Sequence, residues 1–333
     1  MNPENVEAVL ILPRLKVQNA NAISSHMTWG MPGPSAFAGF VHALQLRLNA
    51  DGHELCFGGV GIVCHDFEPQ VYLPPGRRTR VFRLSRHPVD KDGSTSAIVE
   101  EGRAHLEISL VITMAGEGCP VDEAKCNALA AKILAVAHGM RIAGGSVIPH
   151  PERGRYPAQW LLWDREDHEN SLKNFRQLRR RLLPGFALVS RERLLAQHLE
   201  TMQKTTPQAN ALDALLDLCR LNIEPESMDA MDGDSKGKVA WYARRRHRGW
   251  LVPLPVGYAA ISPLYPPGEV RNARDDSVPF RFVESVVSLG EWVSPHRISQ
   301  LEHLLWHHDA QPEAGLYRLR NSYSPLERSN SII

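Results

Sequence analysis

"LPRLKVQNANAISSHMTWGMPGPSAFAGFVHAL", residues Leu12 to Leu44, starts as a strand and ends as a helix, and the fold turns on that change. Its first part continues "VEAVLILPRLKV" (6–17), a short apolar run rich in branched side chains, which predicts a buried strand. From Ser35 onward the apolar residues fall at Phe37, Phe40, Val41, Leu44 and Leu48, three and four apart behind Pro34. That spacing predicts one buried face of a helix with a start signal. Between the two lie Asn19, Asn21, Ser24, Ser25, His26, Thr28 and Trp29. A plain turn needs far fewer residues. The stretch therefore reads as a recognition loop held between two rigid elements.

Working outward, "CFGGVGIVCHDFEPQVYL" (56–73) is a strand region punctuated by glycine, followed by a basic arm with a turn at "DKDGS" (90–94). "RAHLEISLVITM" (103–114) has strand composition, Val121 to His138 a helical pattern, and "MRIAGGSVI" (140–148) closes with another strand. The order β-α-β-β-α-β is the split βαβ on which RNA-recognition folds are built. The expected fold class is α+β, with a ferredoxin-like core over 1–150 and a basic β-hairpin arm at about 76–103. Three helical patterns, Glu169 to Leu183, Ser190 to Gln203 and Gln208 to Leu221, predict a helical insertion over 151–223. Residues 224–248, acidic then basic, read as a flexible surface loop. The remainder, 249–333, is expected to pack back on the core through a strand at Phe280 to Val287 and a late helix through Leu301, Leu304 and Leu305.

Composition is that of an ordinary globular chain: 333 residues, 43% hydrophobic, with Lys+Arg 38 against Asp+Glu 37. Net charge therefore points to no partner, and the distribution of arginine becomes the informative feature. Five cysteines without CxxC spacing read as free thiols in a reducing compartment. The acids ahead of the short apolar run at the start do not fit a signal peptide, and no run approaches a membrane span. A soluble cytoplasmic protein, without a membrane partner, is expected.

The segment "PPGRRTRVFRLSRHP" (74–88) carries Arg77, Arg78, Arg80, Arg83 and Arg86 without one acid, interleaved with Phe82. Such a hairpin can lay guanidinium groups along a phosphate backbone and wedge an aromatic ring between bases. Its alternative is a solvated edge strand protected from aggregation. "RQLRRRLL" (176–183) and "ARRRHRGW" (243–250) read as solvated basic surface, while "GEVRNARD" (268–275) places Arg271, Asn272 and Arg274 in a turn suited to gripping a phosphate. His303 and His307 are one helical turn apart without a third ligand, and Gly58, Gly59 and Gly61 form no nucleotide motif, so neither metal nor cofactor is expected. His26, His42, His65 and His105 are the available bases for RNA cleavage, in no pattern that demands it.

The long stretches "LPRLKVQNANAISSHMTWGMPGPSAFAGFVHALQ", "RTRVFRLSRHPVDKDGSTSAIVEEGRAHLE", "RRLLPGFALVSRE", "QHLET", "LDALLDLCR" and "PGEVRNARD" resemble the second Csy subunit of the type I-F CRISPR surveillance complex, also called the Csy complex or type I-F Cascade. The resemblance runs from Leu10 to Arg318. It implies a member of the RAMP superfamily, ferredoxin-like with a helical insertion, that binds the 5′ handle of the guide (CRISPR) RNA in antiviral defence. It further implies a heterodimer with the large subunit, contact with an adjacent backbone subunit, and target DNA as a further contact. No catalysis is implied, the alternative being a metal-independent endoribonuclease such as some RAMP relatives are. On this reading Asn19, Asn21, Ser24 and Ser25 meet base edges and 2′-hydroxyls, and Trp29 either stacks on a base or pins the loop to the core. Arg77, Arg78, Arg80 and Arg86 form the phosphate-holding face, Arg103 stands at its base, and Arg271, Asn272 and Arg274 make a second clamp. Glu224 to Lys238 and the tail after Arg320 fit the family pattern least, and no role is carried to them.

Overall fold

The computed structural model describes residues 6–83, 89, 92–95, 101–152, 154–163, 168–227, 239–244 and 246–324. Its first half runs β1 (Ala8–Asn21), α1 (Pro34–Ala50), β2 (Cys56–Pro69), β3 (Arg103–Ala115), α2 (Glu123–His138) and β4 (Gly145–Ile148). These four strands lie side by side as β2-β3-β1-β4, every neighbouring pair antiparallel. The other half of the outer edge of β1 is taken by β5 (Gln159–Leu162). Helix α1 starts at Pro34 behind Gly33, and α2 starts where the Asp122 carboxylate accepts the Lys125 amide at 3.0 Å.

The second half adds α3 (His168–Arg181), β6 (Phe186–Ser190), α4 (Glu192–Gln203), α5 (Ala211–Cys219), β7 (Asn222–Ser227), β8 (Val239–Arg244), β9 (Trp250–Ala260), β10 (Val283–Val293), β11 (Leu305–Gln311) and β12 (Leu316–Asn321). The free edge of β2 pairs with β11 at Val60 and Gly61 and then with β6 at Val63 and Cys64. From β6 the pairing continues through β10, β9 and β12 back to β11, so the sheet curls into a closed circuit. Helix α1 is enclosed by that curl. Its Phe37, Phe40, Val41, Leu44 and Leu48 share one core with Leu254, Val256, Trp306 and Leu319 as well as with the faces of β1 to β3. Burying each such side chain contributes roughly 1.5–3 kcal/mol, which fixes α1 and the loop that leads into it. A second core on the opposite face joins Val9, Ile11, Val63 and Val111 to Phe175 and Leu178 of α3 and to Leu182 just after it. That double coverage explains the unbroken apolar run at the start of β1.

Several expectations are corrected. The stretch through Leu301, Leu304 and Leu305 is no helix but a single 3-10 turn, Leu301–His303, leading into β11. All three leucines are buried in the second core because a turn and a strand start deliver the same spacing, and the next residue, Trp306, is locked by its indole N–H on the Leu188 carbonyl at 2.9 Å. His303 and His307 therefore do not share a helical face. The strand expected at Phe280 to Val287 is Val283–Val293, displaced toward the buried Leu289 and Val293. The stretch expected to be helical also supplies β5 and β6 to the sheet, and part of the expected 224–248 loop is the β7–β8 ribbon. No described helix is long and apolar enough to cross a membrane. The five cysteines carry free thiols.

Candidate nucleic-acid interface

The recognition loop is aimed by two β-bulges in β1. Pro13 and Arg14 together oppose Ser109, and Gln18 and Asn19 together oppose His105, with the bulged Arg14 and Asn19 at φ of 51° and 59°. In each bulge the opposing side chain takes up the amide that the ladder leaves unpaired. Arg14 N–H donates to Ser109 Oγ at 3.0 Å, and Asn19 N–H donates to His105 Nδ1 at 3.3 Å. Asparagine tolerates the left-handed backbone better than most side chains, which suits the second bulge. Asn19 is exposed there, its Oδ1 accepting from the Gln70 side chain at 2.5 Å, and no partner is drawn to its amide nitrogen among the described residues.

Past the bulge the polar side chains lace the loop to itself. Asn21 donates to the Ile23 carbonyl at 2.7 Å and accepts the Ile23 amide at 3.1 Å. Ser25 Oγ lies 2.8 Å from Thr28 Oγ1 and takes the Met27 amide, while Ser24 Oγ takes the Gly33 amide at the start of α1. Ile23–Ser25 and Thr28–Trp29 pair as a tiny ribbon. The effect is to hold the Trp29 indole outward, 66% exposed, with its ring edge-on to Phe82 at 5.6 Å.

Phe82 is the hinge between this loop and the basic arm. The two-residue strand Val81–Phe82 pairs with Val71–Tyr72, the Arg83 amide donates to Gln70, and the Gln70 amide donates to Arg103. A Cβ on Gly102 would stand 2.7 Å from Ile23 and 3.2 Å from Phe82, so glycine is what lets arm and loop meet. Arg77, Arg78 and Arg80 are exposed and hold no ion pair among the described residues. Arg103 differs. Its guanidinium is paired with Glu101 and also reaches the Asn19 carbonyl at 3.4 Å, so it braces the bulge. Arg86 lies outside the described residues.

Beside the loop a groove of about 350 Å³ is lined by Asn21, Ser24, Gly33, the Ala143–Gly144 turn, Tyr258 and Ser285. Ala143 and Gly144 were given no binding role from the sequence, although their φ values of 48° and 78° make the tight turn that admits the loop. Arg271, Asn272 and Arg274 are exposed in the long connection between β9 and β10, whose base is tied by the Tyr265–Phe280 bridge. No described contact brings them to the loop or the arm.

The candidate bases divide into two kinds. His65 sits between the Pro184 carbonyl, 2.7 Å from Nδ1, and Ser109 Oγ, 2.6 Å from Nε2, and burial pulls its pKa below the ordinary histidine value. His105 is held by Asn19 and Gln70. Both are braces of the bulged strand. His26 and His42 are exposed, His26 lying 3.7 Å from Glu284. Among the described residues no cluster of His, Cys, Asp and Glu has the geometry to hold a metal ion.

Two comparisons bear on this arrangement. A family model described as CRISPR-associated protein (Cas_Csy2) matches residues 10–319. The CRISPR-associated protein Csy2 of Pseudomonas aeruginosa (strain UCBPP-PA14) is 54% identical over 319 residues, covering 96% of each chain.

Proposed function

We propose, on the premise that this chain belongs to the CRISPR-associated Csy2 family, that it is a non-catalytic subunit of the type I-F Csy complex. In that complex it grips the 5′ handle of the guide RNA and pairs with the large subunit. The observation that carries this reading is the hinge at Phe82, which joins Arg77, Arg78 and Arg80, exposed and without an ion pair among the described residues, to a laced polar loop presenting an exposed indole. Free cations next to an aromatic platform are the chemistry that single-stranded nucleic acid requires. The ferredoxin-like reading of the first half is supported by the strand order β2-β3-β1-β4 and by α1 and α2 burying their apolar faces in one cluster. Cleavage draws no support from His65 or His105, whose ring nitrogens are already engaged.

The test is titration of labelled handle RNA, and of a scrambled RNA of equal length, into the chain co-purified with the large subunit. Tighter binding of the handle, with the RNA recovered intact in chelator, is expected. Equal binding of both RNAs, or cutting of the repeat, contradicts the proposal.

A further inference from the structure

A second, larger groove of about 570 Å³ opens against Trp29. One wall is Trp29 with Met31. The facing wall is an aromatic cluster in which Phe186 meets Trp250 at 5.7 Å and Trp250 meets Trp292 at 6.4 Å. Trp250 and Trp292 are cross-strand partners on β9 and β10, and Phe186 stands at the start of β6, so three strands of the curled sheet build this wall. Pro253 and Pro255 share one parity on β9, which turns their missing donors to the edge that β12 joins only from Gly257 onward. Among the described residues no strand pairs with that edge, and it lines the groove. Despite this enclosure Trp250 remains 58% exposed and Phe186 45% exposed.

The chemistry of the lining restricts the occupant. Among the described residues no lysine or arginine lines the groove, and the one carboxylate there is Asp66, so a phosphate is not what it holds. Its histidine, His65, has both ring nitrogens engaged, and Thr28 is spent on Ser25. What the groove offers is flat aromatic surface. The cations are next door, because Trp29 is edge-on to Phe82, two residues from Arg80 on the arm. We infer that this groove receives an unpaired nucleobase of the bound RNA, stacked on the Trp29 and Trp250 walls, while the adjoining phosphates lie on Arg77, Arg78 and Arg80. The inference rests on the handle-binding reading and extends it to Phe186, Trp250 and Trp292. Ser24, Thr28 and His65 are already hydrogen-bonded and Asp66 takes the Phe67 amide, so aromatic faces dominate the lining and the site requires a base and tolerates its identity.

The experiment scans the handle with single abasic sites, and separately with base swaps, against the chain in complex with the large subunit. One position, or two adjacent ones, should lose about tenfold or more in affinity when abasic and little when swapped. Trp250→Ala should erase that abasic sensitivity, and Trp250→Phe should retain most of it, which separates lost stacking from lost folding. Full abasic sensitivity in Trp250→Ala overturns the inference while handle binding stands. So does release of a protein subunit from Trp250→Ala with RNA affinity unchanged, which makes the groove a protein seat. No preference for handle over scrambled RNA in the wild type overturns the handle-binding reading itself.

Discussion

Changing Arg77, Arg78 and Arg80 together to alanine separates charge from architecture, because the structure sorts the arginines of the arm into free and spent. These three are exposed with no ion pair among the described residues, whereas Arg103 is committed to Glu101 and the Asn19 carbonyl. Each phosphate contact to a single strand contributes about 0.7 to the slope of log affinity against log salt, so the triple variant should lower that slope by about 2. Between about 50 mM and about 200 mM salt this makes the wild type lose roughly 20-fold more affinity than the variant does. Arg103→Ala should change the slope much less and instead loosen the bulge at Asn19. The assay is fluorescence anisotropy with labelled handle RNA at several salt concentrations, using chain co-purified with the large subunit. An unchanged slope in the triple variant refutes the assignment, as does an Arg103→Ala slope equal to it.

Asn21→Ala removes two local hydrogen bonds to Ile23 and should cost about 1 kcal/mol of stability, seen as an earlier melt. Asn19→Ala spares that lacing and removes an exposed amide, so it should lower discrimination between handle and scrambled RNA; the reverse assignment of effects contradicts the loop geometry. Glu291 is 2% exposed and 2.6 Å from Arg191, and Glu291→Ala, by leaving a largely buried guanidinium unpaired, should destabilise by roughly 3 kcal/mol in denaturant titration. A loss below about 1 kcal/mol shows instead that solvent reaches the pair. Burial lowers the pKa of His65, His138, His303, His307 and His308. Their contribution to stability is thus complete above about pH 6.5 and is lost as pH falls through the depressed folded values. The melting temperature should therefore drop below about pH 6.5, less so in His65→Gln, and a flat profile from pH 8 to 5 contradicts this assignment.

The alternation of strand and helix through Ile148 was legible because α1 and α2 carry a helical period and the strands between them are branched apolar runs, and a helical period likewise marked α3, α4 and α5. Leu301, Leu304 and Leu305 misled because spacings of three and one arise equally from a turn feeding a strand buried in a core. The bulges at Arg14 and Asn19 carry no periodic signal, since one extra residue merely shifts the alternation, yet they decide where the loop points. The composition of the loop marked it correctly as unusual, but not that Asn21, Ser24 and Ser25 serve its own backbone and hydroxyls. Most hidden was the aromatic groove. Trp29, Phe186, Trp250 and Trp292 come from four separate segments, and only the closed circuit of strands brings them to one cavity. The fate of each arginine was likewise illegible except at Arg103, where Glu101 stands two residues away.

The central claim is that this chain holds the handle of the guide RNA through the loop and the arm. Photo-crosslinking tests it most directly: assembled complex carrying guide RNA with a photoreactive uridine, placed either in the handle or in the guide segment, is irradiated and the crosslinked peptides are sequenced. The account predicts that the handle probe marks residues 19–33 and 77–83 of this chain and that the guide-segment probe does not. Handle crosslinks confined to other subunits, or to the β7–β8 side of this chain, contradict it.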